Sequence, residues 1–230
     1  GQVGGGVNPL RAQNNGQGAS DMGCAPGFLT GYQPVNDANA RRKFETAWGR
    51  AIRDRVGMSA SEMVGTVRAL YIVGEDILNT SAEAALFRED LEACEFVILQ
   101  EMAASETTRY ADVVLPGVSF AEKTGTFTST ERRVQMVRQA IEPIGEARPD
   151  WQIIAGLANR LGSGWDYAST AQIMEEIAAL TPIYAGITHD RLSRGERLQW
   201  PVESKAHLGT PILPLGLFGE VQWSVAEKIG

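Results

Sequence analysis

The chain has 230 residues, of which 43% are hydrophobic, so it can build a core in one large domain or two small ones. Its formal net charge of −7 argues against nucleic acid as the main partner, because phosphate backbones need a basic face. No apolar run reaches the length of a membrane span, and no basic stretch precedes an apolar one at the start, so neither a span nor a signal peptide is predicted.

The two cysteines, Cys24 and Cys94, are far apart in sequence and lack the spacing of a metal motif. Two unpaired thiols fit a reducing compartment, so we expect a cytoplasmic protein. Two cysteines are too few for an iron–sulfur cluster, which usually needs four. The only histidines, His189 and His207, have no spaced partner that would suggest zinc. No metal ligand is therefore predicted within this chain.

Residues 1–35 read as a long loop with nine glycines, no lysine and a single arginine, Arg11. A loop of this length in a compact domain is usually functional or disordered. Its asparagine and glutamine side chains suit a polar cavity, and a lone guanidinium there can bind a carboxylate through two parallel hydrogen bonds. From the local sequence alone, a solvent-facing Arg11 remains the simpler interpretation.

The next portion alternates helix and strand. A helix is predicted over 37–56, capped by Asp37, and apolar runs predict strands over 69–73, 96–100 and 113–115. A helix capped by Thr80 or Ser81 and running to about Leu91, with Leu86 and Leu91 facing inward, connects the first two strands. Continuous apolar strands joined in this way predict a parallel sheet.

The pattern changes after residue 125. Extended segments are predicted over 126–130 and 134–137, followed by a helix capped by Asp150 and another capped by Thr170. The predicted fold class is therefore α/β: a partly parallel, Rossmann-like sheet with flanking helices, plus a less regular α+β C-terminal portion. We expect three portions, residues 1–35, 36–125 and 126–230.

Ligands of open parallel sheets bind beyond the carboxyl ends of the strands. Here those ends are Gly74-Glu75-Asp76, Gln100-Glu101 and Pro116-Gly117. A carboxylate there can accept two hydrogen bonds from a guanine edge or from ribose hydroxyls, whereas the missing GxGxxG pattern argues against an ordinary NAD site. The alternative for Glu75 and Asp76 is a solvated strand end.

Thr80 and Asp150 each have two interpretations. A helix N-cap explains either residue without a ligand. A helix N-terminus beside a glycine turn is also a place where phosphate is favoured, and this gives Thr80 a binding alternative. For Asp150, only its surroundings can add a base-binding role.

Several motifs in order resemble the alpha (catalytic) subunit of formate dehydrogenases, in the molybdopterin oxidoreductase superfamily. The most specific is Asn8-Pro9-Leu10-Arg11-Ala12-Gln13-Asn14-Asn15. Others follow over about residues 4 to 200: Gln17–Gly23, Gly31–Val35, Gly74–Asp76, Ala111–Pro116, Gly125–Thr128, Thr130–Gln135 and Asp150–Gln152.

The resemblance implies a bis-molybdopterin guanine dinucleotide cofactor holding molybdenum or tungsten, and formate as substrate. Under it, Arg11 corresponds to the arginine that orients formate beside the metal, and Gln13 to its neighbour on the pterin side. The residues that correspond to one guanosine-binding end of the cofactor are Gly74, Asp76, Thr80, Gln100 and Asp150. The implied reaction is oxidation of formate to carbon dioxide, with electrons leaving through iron–sulfur clusters towards electron-transfer subunits.

The sequence also departs from the family pattern. Ala12 replaces a common glycine, Gly16 a usual apolar residue, Ile77 a frequent proline and Ser129 a frequent asparagine. The family's [4Fe-4S] cysteine motif, its catalytic cysteine or selenocysteine with a histidine, and its final cofactor domain have no counterpart here. We therefore expect an internal portion of a larger subunit, inactive by itself. Another enzyme of the superfamily, such as a nitrate reductase, and a cofactor-free relative, as in the respiratory NADH dehydrogenase, remain alternatives.

Overall fold

The computed structural model describes residues 13–81 and 83–212. The described chain opens with a short helix, α1 (Gly16–Asp21), and a two-stranded antiparallel ribbon of β1 (Phe28–Leu29) and β2 (Gln33–Pro34). Helix α2 (Ala38–Trp48) follows; the Asp37 side chain accepts hydrogen bonds from the amides of Asn39 and Ala40 and so caps its N-terminus. The short helix α3 (Ala60–Met63) leads into the first main sheet.

That sheet is parallel and three-stranded, in the order β3-β4-β5. Its strands are β3 (Ala69–Val73), β4 (Phe96–Glu101) and β5 (Val113–Pro116). Helices α4 (Ile77–Thr80) and α5 (Ala84–Ala93) connect β3 to β4. One core forms where this connection packs on the sheet, and its buried side chains are Ile72, Leu78, Leu91, Val97 and Leu99.

The second main sheet is antiparallel, in the order β6-β7-β8. It consists of β6 (Gly125–Thr128), β7 (Arg133–Val137) and β8 (Leu198–Gln199), and helices α6 (Asp150–Arg160), α7 (Thr170–Leu180) and α8 (His189–Ser193) lie between β7 and β8 in the chain. A second core packs against this sheet. Its most deeply buried side chains include Tyr184, Ile187, Leu198, Trp200 and Val202.

The α/β class with a parallel sheet is confirmed, and the predicted strands match the observed ones to within two residues at either end. Four predicted helix boundaries were wrong. Thr80 ends α4 instead of capping a helix, while Asp150 and Thr170 are the first residues of α6 and α7, after Pro149 and Ser169. The predicted helix over 37–56 already ends at Trp48, because Gly49 adopts a left-handed backbone.

The loop predicted over residues 1–35 also contains α1, which the sequence analysis missed. Leu86, predicted to face inward, is 61% exposed. Within residues 13–81 and 83–212, no helix is both long and apolar enough to cross a membrane.

Candidate cofactor-binding site

The carboxyl edge of the parallel sheet brings together residues from three distant parts of the chain. The Gly74 amide, just after β3, donates to the Gln100 carbonyl in β4 at 2.8 Å. The Gln100 side chain, 1% exposed, donates from Nε2 to Oδ1 of Asp150 at 2.8 Å. Three of the residues predicted to bind cofactor, Gly74, Gln100 and Asp150, therefore form one contiguous group.

Two residues that the sequence analysis did not single out complete this group. The Tyr71 hydroxyl donates to Oε1 of Gln100, and the Lys123 ammonium donates to Oδ2 of Asp150. Burial, and then the negative charge of Asp150, raise the pKa of Tyr71, so the phenol remains a donor at neutral pH. Gly117 leaves the space that this arrangement needs, since a Cβ there would lie 3.1 Å from Oδ1 of Asp150, the oxygen that accepts from Gln100.

Asp76 lies in a second polar cluster, just after β3. Its Oδ1 accepts hydrogen bonds from the Thr107 amide at 3.1 Å and hydroxyl at 2.6 Å, and Oδ2 accepts one from Asn79 at 2.5 Å. Burial raises the pKa of Asp76, but these hydrogen bonds outweigh it, so the pKa lies below its usual 3.8. The carboxylate is thus held ionised as an acceptor.

Thr80 adjoins this cluster, and its hydroxyl contacts the Glu75 carboxylate and donates to the Asp76 carbonyl at 3.0 Å. An open cleft of 590 Å³ lies beside Asp76. Its walls combine hydroxyls, an amide, two carboxylates and a guanidinium, from Asp76, Asn79, Ser105, Glu106, Thr108 and Arg109, with Ala104 completing the lining.

Of the remaining two predicted residues, the structure describes only Gln13, which does not join these clusters. Gln13 is exposed, and its carbonyl accepts a hydrogen bond from the Gly16 amide at 3.4 Å, at the start of α1. Arg11 lies outside the described residues.

A further buried polar cluster, which the sequence analysis missed, surrounds Asp21 at the end of α1. This carboxylate is 0% exposed and accepts four side-chain hydrogen bonds: from Gln17 at 2.8 Å, Tyr32 at 2.7 Å, Tyr184 at 2.5 Å and Trp200 at 2.7 Å. Burial is the largest influence and raises the pKa of Asp21 above 3.8, although the four donors lower it. The signals in the sequence were that Asp21 is the one carboxylate of residues 1–35 and that it lies in the motif Gln17–Gly23.

Electrostatics around Asp21 follow from the same burial. Burial, and then the Asp21 charge, raise the pKa of Tyr184 well above its usual 10, which keeps the phenol protonated as a donor. The Arg132 guanidinium lies 5.2 Å from the centre of the Trp200 ring and donates to the Trp200 carbonyl. A positive charge therefore lies one ring away from the buried carboxylate.

The donors and acceptors at the sheet edge fit the guanosine end of a nucleotide. A guanine edge presents two N–H donors, which a carboxylate such as that of Asp150 can accept. Gly74 allows close approach, because a Cβ there would meet nothing within 4 Å, and its backbone is left-handed, with φ of 64°. The hydroxyls and the arginine beside Asp76 suit ribose and phosphate.

Comparison with known proteins identifies the family of this chain. The molybdopterin oxidoreductase family profile matches residues 1–160, and the chain belongs to that family. It is 42% identical over 244 aligned residues to YjgC of Bacillus subtilis, provisionally named an oxidoreductase, and 44% identical over 203 residues to a provisionally named formate dehydrogenase of Staphylococcus aureus strain USA300.

The first alignment covers all of this chain and the second 86% of it, but the chain spans only 25% and 21% of the two relatives. Among solved structures, acetylene hydratase from Pelobacter acetylenicus matches 74% of this chain and 21% of its own, with 16% identity and a TM-score of 0.47.

Proposed function

We propose that this chain is the part of a molybdenum- or tungsten-dependent formate dehydrogenase catalytic subunit that binds one guanosine end of bis-molybdopterin guanine dinucleotide and supplies an arginine for formate. The observation that carries the proposal is the convergence of Gly74, Gln100 and Asp150 at one sheet edge. Family membership, the Asn8–Asn15 motif and the name of the Staphylococcus relative support it.

In this proposal, the residues at the sheet edge hold and orient the cofactor. Asp150 accepts hydrogen bonds from the guanine edge, Gln100 and Lys123 keep its carboxylate in place, and Asp76 and Thr80 serve the ribose and phosphate side. Gln13 lies on the pterin side. When bound, the cofactor and its metal supply the two-electron redox chemistry.

The chain's own contribution to the reaction is placement of the substrate. Arg11 binds the formate carboxylate through two charge-assisted hydrogen bonds, which contribute about 1.5–3 kcal/mol. Formate then loses two electrons and one proton to become carbon dioxide. In the complete enzyme, an iron–sulfur cluster and electron-transfer partners would supply the route by which these electrons leave.

Two substitutions in the complete subunit separate substrate binding from cofactor binding. Arg11→Ala should lower kcat/KM for formate by about 10- to 100-fold, the loss of one bidentate contact, while metal and pterin content stay normal. Asp150→Ala should instead lower the cofactor content, because the guanine edge loses its acceptor. Exposed Asp54 lies in the loop after α2, and Asp54→Ala is the matched control that should change neither quantity.

Two results would contradict the proposal. Full formate turnover by Arg11→Ala would remove that residue from the substrate site. Normal cofactor content in Asp150→Ala, equal to that of Asp54→Ala, would remove the sheet edge from the cofactor site. Turnover of nitrate in place of formate by the unmodified enzyme would favour another member of the superfamily.

A further inference from the structure

A hydrogen-bonded chain links Asn15, the last residue of the formate-dehydrogenase-like motif, to the buried Asp21 carboxylate. The Asn15 side chain accepts from the Thr128 amide at 2.9 Å, and the Thr128 hydroxyl lies 3.3 Å from the Tyr184 hydroxyl. Tyr184 in turn donates to Asp21 at 2.5 Å. The path therefore runs from the motif through β6 to the buried end of α1.

Close packing preserves this path. A Cβ at Gly18 would lie 2.2 Å from the Asn15 side-chain oxygen and 3.3 Å from the Thr128 hydroxyl. Only glycine at position 18 lets Asn15 fold back over α1 to reach Thr128. Thr128 is 4% exposed and Tyr184 is 1% exposed, so solvent does not compete for these hydrogen bonds.

Asp21 is placed to hold this arrangement in one geometry. Its four donors come from α1, from the turn at Thr30–Tyr32, from the turn at Pro182–Tyr184 and from the segment after β8. Burying a carboxylate is costly unless each of its oxygens accepts hydrogen bonds. A buried group whose oxygens all accept hydrogen bonds can hold the segments around it in one arrangement. Asp21 is the last residue of α1 and not its cap, and its donors join α1 to the two turns and to the segment after β8.

We propose that Asp21 is a positioning residue, which acts through Tyr184 and Thr128 to fix Asn15, the last residue of the motif Asn8–Asn15. The placement of Asn15 is a property of the 230-residue chain itself. The consequence for formate rests on the proposed function.

The first test uses amide hydrogen exchange in the 230-residue chain. Tyr184→Phe removes only the hydroxyl that joins Asp21 to Thr128, and the Thr128 amide should then exchange about 5- to 10-fold faster, as expected for loss of one buried hydrogen bond. The Leu99 amide, in the other core, should keep its rate. Tyr167→Phe is the matched control, because Tyr167 also donates to a carboxylate, that of Glu176, at 2.6 Å.

The second test measures formate kinetics in the complete, cofactor-loaded subunit. Tyr184→Phe should lower kcat/KM for formate by about 10-fold with normal cofactor content, through displacement of Asn15, whereas Tyr167→Phe should leave kcat/KM unchanged. Asn15→Ala, which removes the last link of the path, should reproduce the Tyr184→Phe defect.

The two tests can contradict different parts of the proposal. An unchanged Thr128 rate in Tyr184→Phe, or equal acceleration in Tyr167→Phe or at Leu99, would overturn the proposal whatever the enzyme's substrate. Faster Thr128 exchange with unaltered formate kinetics in an active enzyme would overturn the positioning role. An unmodified subunit that does not oxidise formate would defeat the proposed function, while the exchange test would still decide the placement of Asn15.

Discussion

Thr107 and Asp76 illustrate how single residues stabilise the edge of the parallel sheet. Thr107 is 0% exposed, and both its amide and its hydroxyl donate to one oxygen of Asp76. Because the pKa of Asp76 is lowered in the folded chain, the folded state binds its proton less tightly than the unfolded state does. The resulting stabilisation is present above pH 3.8 and is lost as the pH falls through the folded pKa.

Thr107→Val tests this carboxylate contact, since it removes the hydroxyl with little change of shape. It should lower the free energy of unfolding by about 1–2 kcal/mol at pH 7, and the deficit should shrink as the pH falls below 3.8, where Asp76 becomes protonated. Urea unfolding across pH 3 to 7 measures both effects.

Thr181→Val is the matched control for this experiment. Thr181 is also 0% exposed, but its hydroxyl lies 2.7 Å from that of Thr30, a neutral partner. Its deficit should therefore stay constant with pH. A Thr107→Val deficit that is equally constant would show that the carboxylate is not the partner that matters.

The sequence could predict some residues of the candidate site but not others. Gly74 and Gln100 follow apolar runs, so the rule that ligands bind beyond strand ends located them directly. Lys123 and Thr107 gave no such signal, because their partners, Asp150 and Asp76, are 27 and 31 positions away in the chain. Only the tertiary fold brings those pairs together.

At the scale of elements, the strands were predicted well and the short helices poorly. Strand β3 was predicted at its observed bounds, because a run of apolar residues ending at a glycine is a strong strand signal. Helix α1 has no apolar periodicity and is built largely from glycine, alanine and polar residues, so its own sequence does not predict it. Its contacts with β6 and the neighbouring turn, together with the Asp21 cluster, stabilise it instead.

Helix α5 offers a comparison between two leucines that the sequence placed on the same face. Leu91 is 3% exposed in the core of the parallel sheet, whereas Leu86 is 61% exposed. Leu91→Ala should lower the free energy of unfolding by about 2–4 kcal/mol, because it leaves a cavity. Leu86→Ala should change it by less than about 0.5 kcal/mol.

Thermal or urea unfolding measures the loss of stability in the two α5 variants. Equal losses for Leu86→Ala and Leu91→Ala would mean that α5 is rotated relative to the described packing. That result would agree with the sequence-based prediction that Leu86 faces inward.

At the scale of the whole molecule, carboxylates differ in the direction in which pH changes their contribution to stability. Hydrogen bonds from Ser59 and Ser119 lower the pKa of Glu62 and Glu122 below the usual 4.5, so folding is favoured as these groups ionise. The pKa of Asp21 shifts in the opposite direction. Its pKa is raised by burial, so the folded chain retains a proton that the unfolded chain releases.

The raised pKa of Asp21 predicts how the stability of the chain changes with pH. Its stabilising contribution is complete below pH 3.8 and is lost as the pH rises through the raised folded pKa. Asp21→Asn cannot titrate, and its amide nitrogen must face either Gln17 and Tyr32 or Tyr184 and Trp200, which then lose their acceptor; this should cost about 1–3 kcal/mol of unfolding free energy. The deficit relative to the unmodified chain should be largest near pH 4 and narrow towards neutrality, because only the unmodified chain loses stability there.

Urea unfolding from pH 4 to 8, followed by tryptophan fluorescence, measures this difference, with Asp166→Asn as an exposed control that should stay within about 0.5 kcal/mol throughout. A deficit that widens with pH would mean that the four donors outweigh burial and that Asp21 is most stabilising when ionised. The same pH profile also decides the charge of Asp21, the group that we propose to position Asn15. If the difference in unfolding free energy narrows as the pH rises, folding favours the neutral carboxyl. If the difference widens, folding favours the carboxylate, with its four hydrogen bonds.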